Sequence, residues 1–196
     1  MNKPFPFPFY ETDPLELARV LLGARLTVRD AAGIEREGIV VETEAYRGEE
    51  DLACHARAGK TPRTEIMYGP GGFAYVYLIY GMYQMLNVTA WPEGKPAAVL
   101  VRAVEPIGNI AGRTNGPGRL TKTLQIHKHH NGLPFVGPEL KLTPDWDIQD
   151  SHVGVGPRIG VEYAGDWAHK PWRFFIADNP HVSVRPKKGI KVGNIP

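Results

Sequence analysis

A chain of 196 residues with 42% hydrophobic content can bury a core of its own, so one domain spanning residues 1–196 is expected. Its 22 glycines and 18 prolines imply many turns and favour a sheet-rich α+β protein over a helical bundle. A formal net charge of +2 leaves any affinity for nucleic acid to local basic clusters, and the lone cysteine, Cys54, excludes an intramolecular disulfide framework and any multi-thiolate zinc site.

Residues 1–9 alternate proline and phenylalanine too often for a signal-peptide core, and read as extended chain whose rings dock on the body or fray. No later segment approaches membrane-spanning length, so the expectation is an intracellular protein without a membrane partner. A helix follows: Asp13 can cap it, Pro14 suits the first turn, Glu16 completes a capping-box spacing, and Leu15, Ala18, Leu21 and Leu22 form a stripe ending near Gly23. Strands are predicted over 25–28 and 38–46, joined across Ala31-Ala32-Gly33. Strict period two in the second puts Glu42, Glu44 and Tyr46 on one face and Ile39, Val41, Thr43 and Ala45 on the other, core-facing one.

A long polar loop over 47–72 carries His55, Arg57, Lys60 and Arg63, and long loops in compact domains are often functional. Segments 75–79 and 83–89 read as a hairpin with Tyr80 near its tip. A further strand over 97–104 places Ala98, Leu100, Arg102 and Val104 on one face and stops at Glu105-Pro106. Asn115-Gly116-Pro117-Gly118 precedes a short helical pattern with Leu120 and Leu124. Beyond Gly132 the chain is turn-rich, with strands expected around 153–155, 158–162 and 172–176.

Glu44 is the general-base candidate, because a carboxylate beside an aromatic on a strand face can be partly desolvated and still reach a water. Glu42 is its rival, and a salt-bridged structural role is open to both. Four tyrosines between Tyr75 and Tyr83 could be stacking platforms for a flat base, or simply sheet and core. Tyr80 favours the first reading, since a ring at a hairpin tip has little core to enter. His127, His129 and His130 lack an acidic or thiolate partner at a recognised spacing and read as a solvated basic loop; no metal is expected. The HxE and PCxxC elements of zinc deaminases are absent. Gly116-Pro117-Gly118 could present N–H groups to a phosphate, and Arg185, Lys187, Lys188 and Lys191 could track a nucleic-acid backbone or be a solvated tail.

Taken together, Glu42-Thr43-Glu44-Ala45-Tyr46, His55, Thr61-Pro62-Arg63, the run from Tyr75 to Asn87 and that from Val99 to Pro106 resemble the alkyladenine (3-methyladenine) DNA glycosylase family. The similarity continues through Gly116-Pro117, the glycine-valine repeat over 153–156, residues 168–174 and His181-Val182-Ser183-Val184, so it covers nearly the whole chain. The resemblance implies a single mixed domain around a curved antiparallel sheet with a protruding β-hairpin. It also implies a monofunctional hydrolase that flips alkylated or deaminated purines, such as 3-methyladenine and hypoxanthine, out of damaged double-stranded DNA and leaves an abasic site. No cofactor, metal or covalent lysine intermediate is implied.

By the same resemblance Glu44 activates water, and Tyr46, His55 and Tyr77 wall the base pocket. Asn87 crowds the 2-amino group of guanine, Tyr80 fills the vacated place in the stack, and Arg102, Met82 and Met85 contact DNA. Tyr75 and Tyr83 are left to sheet or core. A monomer working with the genome, in a bacterial cytoplasm or a nucleus, is the corresponding expectation. A noncatalytic damaged-DNA binder and a structural protein with a Tyr-rich core are the competing classes; the first binds without base release, the second is indifferent to Tyr80→Ala.

Overall fold

The computed structural model describes residues 3–184. It is α+β, with three short helices, α1 (Phe7–Tyr10), α2 (Pro14–Val20) and α3 (Pro117–Thr123), set around a curled antiparallel sheet. The strands are β1 (Arg25–Arg29), β2 (Glu35–Arg47), β3 (Ala74–Ile79), β4 (Tyr83–Thr89), β5 (Ala97–Ile107), β6 (Leu140–Thr143), β7 (Val153–Gly156) and β8 (Arg173–Ile176). They run in the order β3-β4-β5-β2-β1-β6, and β8, paired with β7, joins β2 beyond the point where β1 leaves it. The tail residues Arg185, Lys187, Lys188 and Lys191 lie outside the described residues.

The amino-terminal rings dock: Phe5 stacks on Phe9 at 4.0 Å and Phe9 meets Tyr10 edge-on. Asp13 caps α2 by accepting the Leu15 N–H at 2.9 Å, while Glu16 bonds the Thr12 hydroxyl instead of closing a capping box. Leu17, Ala18 and Leu21 are buried, and the Thr43 hydroxyl donates to the Ala18 carbonyl at 2.7 Å, tying α2 to β2. Gly23 then turns at φ +85, where a side chain would also collide with the Trp146 carbonyl.

Two compensating β-bulges shape the centre of the sheet. Val40 pairs with Val104 but Glu42 with Ala103, leaving Val41 extra on β2; Thr43 pairs with Val101, leaving Arg102 extra on β5. Strict alternation therefore fails here. Val40 and Val41 both face the core, so Ile39 does not share Val41's face, and Ala103 and Val104 are both core, so Val104 does not share that of Arg102. Nor does Pro106 end β5: it pairs with Gly38, and the strand continues to Ile107.

Around these bulges the sheet divides its faces. Ala45, Ala74, Val76, Leu86, Val88, Val99 and Val101 pack the main core with the helices. Tyr46, Tyr75, Tyr77, Met85, Asn87, Ala98 and Leu100 line a cavity on the opposite face. The loop over 47–72 crosses that face through two 3-10 turns, His55–Ala58 and Glu65–Tyr68, and seals a second small core of Cys54, Ala56 and Met67 against Tyr75 and Ala98. Residues 131–133 cover the edge of β3, with Asn131 Oδ1 accepting from the Val76 N–H and the Leu133 carbonyl from the Ala74 N–H, both at 2.8 Å. The strand expected over 158–162 is absent: Arg158 to Val161 are irregular and a 3-10 segment begins at Glu162.

Candidate active site

The cavity measures about 280 Å³, small for a ligand site, and its walls come from β2 to β5, the 47–72 loop and residues 159–163. Glu44 lies immediately behind the wall and is 0% exposed. Its Oε1 accepts the Ile159 N–H at 2.7 Å and lies 3.3 Å from Arg102 Nη1; its Oε2 accepts the Tyr46 hydroxyl at 2.9 Å. All three neighbours present donors to the carboxylate. Ile159, Arg102 and Tyr46 all line the cavity, which puts the carboxylate within one side chain of it.

Glu42, also 0% exposed, is engaged elsewhere: Oε1 meets Arg173 Nη1 at 2.9 Å and Oε2 accepts the Ser183 N–H at 2.6 Å. Arg102, turned inward by its bulge, bridges the two carboxylates, with Nε 3.5 Å from Glu42 and Nη1 3.3 Å from Glu44. Two carboxylates thus face two guanidiniums, and paired charges are the form in which ions tolerate burial.

Tyr46 is held from behind by Arg158, whose guanidinium lies 4.8 Å from the ring centres of both Tyr46 and Trp172. Arg158 is itself fixed by buried Asp51, by the Ala45 carbonyl at 3.0 Å and by the Trp167 carbonyl at 3.1 Å. Burial, and then the Glu44 charge, push the Tyr46 hydroxyl well above its ordinary range, so it remains a donor to Glu44.

His55 stands edge-on to Tyr77 at 4.6 Å, and the Arg63 guanidinium lies 5.1 Å over the Tyr77 ring. Arg63 has only donors to offer, so at 3.1 Å it makes His55 Nε2 the acceptor and leaves the proton on Nδ1, which donates to the Tyr75 hydroxyl at 2.8 Å. Burial, then the Arg63 and Arg57 charges, lower the His55 pKa to about 4, and the ring is neutral at physiological pH. Asn87 forms part of the cavity wall, its amide donating to the Tyr75 carbonyl at 3.0 Å.

Tyr80 occupies the hairpin tip and is 82% exposed. Tyr80 at φ +53 and Gly81 at φ +70 make a turn closed by the Met82 N–H donating to the Ile79 carbonyl, a mirror-image type that suits hairpins but is strained for a bulky residue. Met82 is exposed beside it, away from the cavity, whereas Met85 lies on the cavity wall.

Tyr75 and Tyr83 lie in the sheet as expected, on β3 and β4, and Tyr75 is also part of the second core. In addition Tyr75 lines the cavity and bonds His55, and Tyr83 is partly exposed, with its ring seated on Gly118, where a Cβ would lie 2.8 Å from it. Gly116-Pro117-Gly118 therefore provides a seat for Tyr83 and, through Pro117, a piece of wall. The His127–His130 turn is not simply a solvated loop: His130 is buried, its pKa lowered first by burial and then by His129, and it has an acidic neighbour in Glu139. Sequence reasoning missed Arg158, Asp51, Ile159 and Tyr163. The last is 62% exposed at the cavity, with Arg57 5.1 Å over its ring. No helix among the described residues is long and apolar enough to cross a membrane.

Comparison with known proteins identifies one family. A family model described as methylpurine-DNA glycosylase (MPG) matches residues 8–180. A Myxococcus xanthus (strain DK1622) protein named "Putative 3-methyladenine DNA glycosylase" is 52% identical over 186 residues, covering 94% of this chain and 95% of its own length. Proteins of the same name from Legionella pneumophila (strain Lens) and Anaeromyxobacter dehalogenans (strain 2CP-1) are 47% and 49% identical, over 91% and 94% of this chain and 97% and 87% of theirs.

Proposed function

The chain belongs to the methylpurine-DNA glycosylase family, and from that membership we propose that it excises alkylated and deaminated purines, 3-methyladenine and hypoxanthine among them, from double-stranded DNA. The observation that carries this reading is a base-sized aromatic cavity with a buried carboxylate directly behind its wall and an exposed ring on the adjoining hairpin.

A lesion weakens pairing and stacking, so the damaged nucleotide costs less to swing out of the duplex than an intact one. Tyr80 enters the space it leaves, with Met82 beside it at the hairpin tip and Arg102 and Met85 contacting the extruded nucleotide. Tyr46, Tyr77 and His55 enclose the base, and a cationic alkylpurine gains from their ring faces. Asn87 narrows the cavity against a purine bearing a 2-amino group.

Glu44 Oε2 accepts one hydrogen bond, from Tyr46, which leaves a lone pair for a water. Glu44 takes that water's proton as the oxygen bonds to C1′, and the C1′–N bond breaks with its electrons going to the base. A 3-methyladenine cation leaves as a neutral base, whereas hypoxanthine must gain a proton. His55, neutral and with both nitrogens engaged, is unsuited to give it. The chain needs no partner subunit for this chemistry and acts as a monomer on genomic DNA. The test is incubation with duplexes carrying one 3-methyladenine or one hypoxanthine. Free base and an abasic site are expected; binding without release from any lesion would reassign the protein to damage recognition alone.

A further inference from the structure

The 3-10 turn Lys128–His130, which follows α3, takes no part in base excision as proposed above. We propose that His129, His130 and Glu139 bind a divalent transition-metal ion, with Zn²⁺ the best match, and that the ion clasps the segment covering the edge of β3. One ring nitrogen from each histidine and one Glu139 carboxylate oxygen already lie within 4.8 Å of one another.

His130 is the second, independent indication. It is 2% exposed, and its Nε2 is buried without a hydrogen-bond partner among the described residues. A buried polar nitrogen left without a partner is uncommon and asks for one. The other nitrogen, Nδ1, accepts the His127 N–H at 3.1 Å and lies 3.2 Å from the His127 carbonyl. An ion at Nε2 requires the ring proton to sit on Nδ1, where that carbonyl is placed to accept it in place of the N–H contact.

Two imidazole nitrogens and one carboxylate oxygen suit Zn²⁺, which accepts three protein ligands and a water. Ligand atoms around tetrahedral zinc stand about 3.4 Å apart. His129 and Glu139 are exposed, so rotation of two surface side chains toward the fixed His130 can close the gap. The ion would join the turn to the residue preceding β6, on either side of Asn131 and Leu133, which bond the backbone of β3. Because β3 carries Tyr75 and Tyr77, the clasp would steady one wall of the cavity without adding a reacting group.

The experiment is titration of chelator-treated full-length protein with Zn²⁺ by calorimetry, and with Co²⁺ by visible absorption. One ion per chain is expected, with a rise in Tm of roughly 5 °C at a hundredfold excess over Kd. His129→Ala and Glu139→Gln, both at exposed positions, should each weaken Zn²⁺ binding at least tenfold and remove the Co²⁺ absorption while the apo proteins keep their Tm. Failure to bind Zn²⁺, or binding that survives both substitutions, overturns the proposal.

Discussion

Replacing Glu44 with glutamine separates the charge of the proposed base from its shape. The amide keeps an acceptor for the Ile159 N–H at 2.7 Å, and the Tyr46 hydroxyl, now 2.9 Å from an NH₂, can reverse from donor to acceptor. What disappears is the carboxylate facing Arg102 at 3.3 Å, although Arg102 retains Glu42 at 3.5 Å. Partial loss of a buried ion network of this kind should cost about 1–3 kcal/mol, since a complete break costs about 3–5. The Tm should therefore fall by roughly 5 °C and the protein should remain folded. Removing a general base lowers the rate by about 10²–10⁴, or about 3–5 kcal/mol of barrier. The assay is single-turnover base release from a hypoxanthine duplex, with anisotropy for DNA affinity and thermal melts alongside. Glu42→Gln is the control, because Glu42 serves Arg173 and Ser183: it should lower Tm similarly while the rate stays within tenfold. A folded Glu44→Gln variant within threefold of the wild-type rate would refute the assignment of the base.

Three further outcomes follow from the geometry. Tyr80→Gly removes a bulky residue from φ +53, so Tm should not fall, while affinity for a lesion duplex drops about tenfold with the lost stacking; unchanged affinity would remove Tyr80 from the interface. Arg158→Met strands the buried Asp51 carboxylate and should cost about 3–5 kcal/mol by denaturant unfolding, with part recovered when Asp51→Asn is added; no recovery in the double variant would mean that Arg158 acts through Tyr46 and Trp172 alone. His55, with a folded pKa of about 4 against an ordinary 6.5, leaves the unfolded chain to bind the extra proton between those values. Stability should therefore be unaffected by His55 above pH 6.5 and decline as pH falls toward 4, by on the order of 3 kcal/mol. His55→Gln should flatten that decline, and an unchanged pH profile would contradict a buried neutral ring.

The features legible in the sequence are those decided within a few residues. Asp13-Pro14 starts a helix because a side-chain acceptor and a fixed φ act locally, and the hairpin with Tyr80 at its tip follows from alternation on either side of a short turn. Glu44, Tyr46, His55, Tyr77 and Asn87 were legible through the order of their motifs along the chain, and the fold brings all five to one cavity or its immediate wall. Alternation failed where the chain departs from it, at the two bulges, since an extra residue leaves no mark on composition.

The sequence by itself determined the family, the α+β class and which short segments carry aromatic and acidic groups. Tertiary structure decided which carboxylate stands beside the cavity, because Glu42 and Glu44 share a strand face and are set apart by distant partners, among them Arg173 for Glu42 and the Ile159 N–H for Glu44, 131 and 115 residues away. It likewise decided that Arg102 turns inward, that Arg158 backs Tyr46 and that Glu139 meets His129 and His130. Hydrogen bonds and ion pairs act over a few ångströms in space, and chain separations of this length carry no periodicity from which such neighbours could be read.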